Sequence, residues 1–488
     1  MSAVLRRILL CIFSEVIPMW LFQDKKFYST MLRLAVPIAL QNMLVSSFTL
    51  VDTIMVGQLG DVELSAVGMA GQWSWLLQII LFGIVSAMSM FVSQYWGEKN
   101  IDGIHKSYGI ALASGAVLAL MFTLSAAIIP ERVMMIFNRE SAVVAAGASY
   151  LRIVAFSYPA VMLGNIMFSL LRSTECVKVP MYISAMSTVL NAVFNYGLIF
   201  GKFGMPELGI EGAAIATCIS SWANPVFAVI IALWKKLLIL ASPGRIFNFT
   251  RDRVKSFYIK AAPVMINESL WGLGTFVMTL LYSNLGSEYY AAVTILKTFE
   301  NIAFTIFIGI CNASCVMVGK SVGAGQIKEA VSNAKRMALL VPIIALPIGA
   351  LIILFREQLV HLFNMSGNIT EVTLNTAIGI ITVYGSFIAI RNIPYIQVVG
   401  IFRPGGETVR GLIYELICLW CIAIPATAIS AYVLKLDFVL VYIIMYIAED
   451  IPKSILCVRY FLTEKWIKPV TDIGREGLDK YLAEKITK

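Results

Sequence analysis

Charged side chains are scarce in this chain. They make up 14% of its 488 residues, against roughly 25% in soluble domains, so most of the surface is not built to meet water. Histidine is scarcer still: His105 and His361 are the only two, and no His-Glu-x-x-His pair exists, which removes the common helical zinc-protease site. No Gly-x-x-x-x-Gly-Lys-Ser/Thr loop occurs, so the chain does not cradle ATP as P-loop proteins do. None of the eight cysteines falls in a segment expected outside the cell, and disulfides are not implied. Cys418 and Cys421 have C-x-x-C spacing but lie inside an apolar run, where packing is their ordinary role.

What is abundant is apolar length. Twelve runs are long enough to cross a bilayer, which takes about 20 residues. They cover about 34–56, 66–93, 108–130, 142–170, 179–200, 210–234, 260–284, 289–318, 337–355, 373–402, 409–432 and 437–460. Several exceed the bilayer thickness and are expected to tilt or protrude. Residues 1–27 form an extension, of which 1–22 are basic and then apolar; Glu15 and Pro18 interrupt the run and no small-x-small cleavage site follows, so an interfacial helix or a loose extension is expected rather than a signal peptide.

The net charge of +9 invites a nucleic-acid reading, which the placement of the charges refutes. With the N-terminus inside, the cytoplasmic segments and the cytoplasmic ends of the spans hold 30 of the 38 Lys and Arg, the outer loops five, and the rest of the spans three: Arg152, Lys297 and Arg391. This asymmetry places both termini in the cytoplasm of a multi-pass protein of the cell membrane.

The chain is also a repeat. Pro37 in "LAVPIALQN" matches Pro263 in "KAAPVMINE", an offset of 263 − 37 = 226, and the register holds through Gly60 and Gly286, Gly83 and Gly309, and Gly97 and Gly323. Each half holds six spans, so both halves enter the membrane in the same orientation, related by an axis along its normal. The expected lobes are 28–235 and 256–462, joined by a basic loop at 236–255 and followed by a cytoplasmic tail, 463–488. A six-plus-six repeat is the usual build of a secondary transporter, with the site between the lobes. It argues against a channel and, more strongly, against an embedded enzyme, although composition leaves open a Ser/Lys or Asp/Asp intramembrane enzyme.

Over about residues 28–466 the chain resembles the multidrug and toxic compound extrusion (MATE) transporters. The resemblance rests on "PIALQNMLVSSFTLVDTIMVGQLG" at 37–60, "LNAVFNYGLIFGKFGMPELGIEGAAIAT" at 190–217, "PVMINESLWGLG" at 263–274, "FRPGGETVR" at 402–410, and the spacing of Lys453, Arg459 and Trp466. It implies an all-α membrane protein of twelve helices in two pseudo-symmetric six-helix lobes around a V-shaped cavity. It implies export of amphipathic, often cationic small molecules by a monomer, with H⁺ or Na⁺ as the coupling ion and no cofactor. The wider group also moves lipid-linked saccharides and other polymer precursors, so a flippase is the alternative. The chain departs from the family at 172–178, RSTECVK, where Cys176 stands in place of a common acid. It departs again at 391–400, RNIPYIQVVG, which lacks the coupling aspartate of several members.

The membrane-embedded polar residues are the candidates for function, since an ionisable group at that depth is costly. Asp52 is the only charge between Leu34 and Val56. Asn191 and Asn195 are four apart on the fifth span and share a helix face, and Thr217 lies on the sixth. The resemblance makes these four the surroundings of a proton or Na⁺ site. The competing reading is a set of inter-helix hydrogen bonds, worth only about 0.6 kcal/mol each. In the second half, Glu268 is the repeat counterpart of Asn42 and is expected near Arg391 and Asn392, as a second protonation site or an attraction point for cationic substrate. Lys297 and Glu300, three apart, are able to pair, and with Glu268 and Arg391 they read either as a paired network facing the cavity or as a static ion-pair lock of the second lobe. Glu449 and Lys453 are expected to make a stabilising pair. Arg152 reads as a snorkelling or helix-pairing residue. Loop 403–410, with Glu407, is expected to be cytoplasmic and structural.

Overall fold

A computed structural model describes residues 24–137, 139–361 and 370–487. The expected interfacial helix therefore lies almost wholly outside the described residues. Twelve long helices follow in order: α1 Lys25–Gly57, α2 Asp61–Glu98, α3 Ile101–Ile128, α4 Ser141–Ser173, α5 Lys178–Phe200, α6 Gly209–Lys235, α7 Arg251–Leu285, α8 Ser287–Gly323, α9 Ile327–Leu354, α10 Glu371–Gly405, α11 Val409–Val433 and α12 Phe438–Leu462. A shorter α13, Asp472–Ile486, closes the described chain. Eleven of the twelve are long and apolar enough to span a membrane; α12 carries Glu449, Asp450, Lys453 and Arg459. Two boundaries move outward from the expected lobes. α1 begins at Lys25, where Asp24 caps it by accepting the Phe27 N–H at 3.0 Å, and α7 begins at Arg251, inside the expected loop.

Large apolar side chains are exposed in stripes that only hydrocarbon would tolerate. On α3, Val117, Met121, Leu124 and Ile128 recur at three- and four-residue spacing, each more than half exposed. The opposite faces pack. α5 lies on α6 and α1 in the first half, and α10 on α9 and α12 in the second. Prolines shape the second half: Pro394 lies in α10 just before a π-helical stretch, Ile396–Phe402, and two further π stretches occur in α11. Proline lacks the N–H that an α-helical turn needs, and such widened turns absorb the loss.

The two halves meet through α1 on α8, α2 on α7, and α2 on α8. These contacts come in repeat-related pairs. A Cβ on Gly83 would fall 2.6 Å from the Met265 Cα, and one on Gly309 would fall 2.8 Å from the Ala35 oxygen and 2.9 Å from the Ala39 Cβ. Met265 and Ala39 are themselves 226 apart. Likewise a Cβ on Gly97 would sit 2.0 Å from the Lys320 oxygen and one on Gly323 1.9 Å from the Gln94 oxygen, and Gln94 and Lys320 are again 226 apart. Between these crossings, Ser89 Oγ lies 3.8 Å from Cys315 Sγ, two residues at the same position of the repeat. Identical repeat positions can touch only at the pseudo-two-fold axis, so the axis passes between α2 and α8 at this depth. The turns into α2 and α8 match as well: Gly60 at φ +143° and Gly286 at +149°, values that residues with a Cβ rarely adopt.

Polar ties between the halves cluster at the face that carries the start of α1 and the end of α12. Asp24 pairs with Arg336 at 2.5 Å, and Glu175 with Lys320 at 2.8 Å. The Gln94 amide donates to the Pro404 oxygen at 2.7 Å and accepts the Val470 N–H at 2.8 Å. The tail, expected only as a cytoplasmic extension, is thus docked: Trp466 is fully buried, and Thr471 Oγ1 donates to the Gly323 oxygen at 3.0 Å. The Asp24 carboxyl is held below its ordinary range by the Phe27 N–H and then by Arg336. Its contribution to stability is therefore present above the ordinary carboxylate pKa and lost as pH falls through the lowered value.

Gly97→Val and Gly323→Val should each lower the thermal stability of the detergent-solubilised protein, by about 1–3 kcal/mol of overpacking. Gly68→Ala, which meets nothing within 4 Å, should leave it unchanged. A melting series with equal values for all three variants contradicts the close crossing.

Candidate functional site

The first-half site is built by α1 and α5. Asp52 is half-buried on α1, and the Asn195 amide donates to its carboxylate. Asn191, one turn earlier on α5, reaches the same group. With its amide nitrogen turned toward the acid it lies 2.7 Å from Asp52 Oδ1, and its oxygen then accepts from Ser220 Oγ at 3.2 Å. The opposite orientation sets oxygen against oxygen, so the hydrogen-bond network selects the first. Asn195 is 1% exposed, yet its Oδ1 has no partner. A buried acceptor without a donor is costly and marks a place where a proton donor or cation would be stabilised.

Asp52, Asn191 and Thr217 line one cavity of about 190 Å³, together with Thr49, Ser187 and Ser220. Thr217 Oγ1 itself donates to the Ala213 oxygen at 3.0 Å, along its own helix. The four residues singled out in this half are therefore gathered at one place: Asn195 and Asn191 touch Asp52, and Thr217 faces the shared cavity. The oxygen-rich lining is chemically suited to H⁺ or a hard monovalent cation, and offers neither thiol nor imidazole.

The second half differs from expectation. Glu268 does not pair with Arg391. It accepts from Arg403, the first residue of the loop expected to be cytoplasmic and structural. Arg403 is 4% exposed and also reaches Ser86 Oγ on α2, at 3.4 Å. In the first half Arg172, likewise at the end of the fourth helix, donates to Gln41 on α1 at 3.4 Å, so each half ties the end of its fourth helix to its first. The physical reason for the correction is length: α10 continues as helix through Arg403 to Gly405, which carries the guanidinium inward. Glu407 is also buried, 2.5 Å from Lys468 and within 2.9 Å of the Tyr460 hydroxyl.

Lys297 and Glu300 do not pair either. Lys297 Nζ donates to Thr279 Oγ1 at 3.1 Å, while Glu300 pairs with Arg391 at 3.0 Å. Arg391 also lies 3.8 Å from Asp450 and over the Tyr446 ring, 5.2 Å from its centroid. Asn392 is buried and donates to the Ile388 oxygen at 2.8 Å, leaving its Oδ1 without a partner. Glu449 and Lys453 are 3.7 Å apart as expected, but Lys453 is closer to Glu415, at 2.7 Å. Arg152 pairs with Glu131 at 3.0 Å on the exposed surface. Cys418 is buried and Cys421 exposed.

Arg403, Glu415 and Asp450 are the buried charges that sequence reasoning passed over. Glu415 sits alone in "LIYELICLW", the same signal that marked Asp52. Asp450 was screened by its neighbours Glu449 and Lys453. Arg403 was hidden by the Pro-Gly-Gly that follows it, which reads as loop.

Comparison with known proteins fits this geometry. The MatE family profile matches residues 37–197 and 263–429, one copy in each half. "Probable multidrug resistance protein NorM" of Thermotoga maritima is 25% identical over 443 residues, 90% of this chain and 93% of its own length. "Multidrug and toxin extrusion protein 2" of Pongo abelii is 25% identical, over 83% of this chain and 71% of its own. Among solved structures, a MATE transporter of Vibrio cholerae superposes with a TM-score of 0.80 at 17% identity, covering 92% of this chain and 98% of that one. With two profile matches placed on the two halves of a 226-residue repeat, the chain belongs to the MatE family, the multidrug and toxic compound extrusion transporters.

Proposed function

We propose that this protein is a secondary active exporter of amphipathic, often cationic small molecules. It works by antiport with H⁺ or Na⁺ and by alternating access between its lobes, in the cell membrane, with both termini in the cytoplasm. It acts as a monomer and as a transporter rather than an enzyme. One observation carries the reading: Asp52, a carboxylate at membrane depth, is held by two α5 amides beside an oxygen-lined cavity. A coupling group must bind its ion differently in the two conformations, because a ligand bound equally by both shifts nothing. Asp52 meets that need if movement of α1 against α5 adds or removes the Asn191 and Asn195 contacts. Losing an amide donor disfavours the charged form, and gaining one favours it.

The positive-inside asymmetry assigns the tied face to the cytoplasm. Glu175–Lys320, Asp24–Arg336 and the Gln94 contacts then close the inner side, and the conformation is shut inward. The buried charges of the second half are mixed in sign rather than uniformly basic, which suits a multidrug cavity better than the pyrophosphate-binding groove of a flippase.

In proteoliposomes under separate H⁺ and Na⁺ gradients, with a panel of cationic dyes, Asp52→Asn should lower gradient-driven export at least about tenfold, a loss of roughly 1.4 kcal/mol or more, while dye binding persists. Export at the wild-type rate removes Asp52 from the coupling role.

Alternating access also predicts a reversible lock. Ser89→Cys places a thiol against Cys315 at the axis, where the native side-chain atoms are 3.8 Å apart. Oxidation should cross-link α2 to α8 and reduce export to background, and a thiol reductant should restore it. A cross-linked protein that still exports shows that the helices do not separate there.

A further inference from the structure

The segment that joins α6 to α7 carries charge of one sign. Between Trp234 and Ile259 it holds six cations, Lys235, Lys236, Arg245, Arg251, Arg253 and Lys255, against one acid, Asp252. All seven are exposed. Among the described residues only Arg253 of the six has a carboxylate within 4 Å: Asp102 at 3.9 Å, an acid that Lys106 already holds at 2.6 Å. The tail is different. From Glu464 to Lys485 five cations meet five acids, and Lys485 pairs with Glu464, Arg475 with Asp472 and Lys468 with Glu407. The uncompensated charge therefore belongs to the joining segment.

A run of like charges is ordinarily a loose, solvated loop. This one is fastened to the bundle. Leu237, Leu238, Ile239 and Ile246 pack into the first-half core beside Ile104 and Tyr108 of α3. His105 Nε2 lies 3.2 Å from the Leu238 oxygen, and the Tyr258 hydroxyl donates to Ser114 Oγ at 2.7 Å. A Cβ on Gly109 would fall 1.9 Å from the Ile246 oxygen, so backbone meets backbone there as well. The cations are thus held at the ends of α6 and α7. Among them the segment also exposes large apolar side chains: Trp234 is 89% exposed, Ile259 60% and Phe247 52%. Water or a free anion gives these side chains no partner. The headgroup layer of a bilayer does, since aromatic rings settle at that level and clustered Lys and Arg beside a membrane helix attract anionic lipid.

We propose that the joining segment, residues 234–259, is a docking surface for anionic phospholipid of the cytoplasmic leaflet, with the cations on the headgroup and Trp234 and Phe247 against the upper acyl chain. It goes beyond the transport reading, and its test counts bound lipid rather than export, so the two can fail separately.

The test is native mass spectrometry of the purified full chain in detergent, titrated with phosphatidylglycerol and phosphatidylcholine. The wild type should retain phosphatidylglycerol at least about tenfold more tightly than phosphatidylcholine. Added salt should narrow that gap, because exposed charges are screened. Each cation near an anionic surface is worth about a fivefold change in affinity, so Lys235→Gln/Lys236→Gln/Arg245→Gln should weaken phosphatidylglycerol binding at least about tenfold. Lys465→Gln/Arg475→Gln/Lys480→Gln removes the same charge from the balanced tail and should leave binding unchanged. All six positions are exposed, so both variants should melt with the wild type. An excess of inorganic phosphate should not displace the lipid. The proposal is overturned if the two lipids are retained equally or if the joining-segment variant binds like the wild type. It is also overturned if the tail variant weakens binding as much, the outcome for net charge alone, or if phosphate displaces the lipid, the outcome for a free-anion site.

Discussion

The close crossing of α2 and α8 is the constraint on which the rest of the molecule depends. Gly97 and Gly323 let backbone meet backbone where a single Cβ would fall 2 Å or less from a carbonyl oxygen. Lipid offers no hydrophobic drive for helices to associate, so small residues and van der Waals contact must do it. Because the two glycines are repeat counterparts, the crossing is symmetric, and the same axis runs between Ser89 and Cys315. Among the described residues the docked tail is an asymmetric addition: its Val470 N–H donates to Gln94 of the first half and its Thr471 hydroxyl to the Gly323 oxygen of the second.

Around that symmetric frame the two halves spend their buried polarity differently. The first half concentrates it in one acid with neutral partners, Asp52 with Asn191 and Asn195. The second distributes it over opposed charges, Glu268 with Arg403, Glu300 with Arg391 and Glu415 with Lys453. A lone carboxylate with amide neighbours responds to a single ion. A set of paired charges is a stiffer object, since removing one partner strands the other in low dielectric.

Much of this was legible beforehand. Apolar runs, the charge asymmetry and the 226-residue register were enough for twelve helices and two equivalent halves, because span length and repeat register are properties of the chain itself. Asp52 and the Asn191–Asn195 pair could be singled out because a lone acid in an apolar run and an i, i+4 amide pair are local signals; that they share one site was implied by the family resemblance. Partner choice in the second half was not local. Lys297 and Glu300 have the spacing of a pair, yet Glu300 faces Arg391 from another helix and Lys297 turns to Thr279.

The sequence by itself determined the helices, their number, their repeat and the acid worth asking about, since each follows from hydrophobic period, charge placement and identity at a fixed offset. Only the tertiary structure decided which charge meets which. α10 runs as helix past its prolines to bring Arg403 inward to Glu268, and α12 packs on α10 to bring Asp450 to Arg391. The tail's return to Gln94 was equally invisible, because a main-chain N–H reaching a side-chain oxygen 376 residues away leaves no mark in the identity of either residue. The reason is the same in each case: pairing energy depends on distance and burial, and both are set by how helices far apart in the chain come to lie side by side.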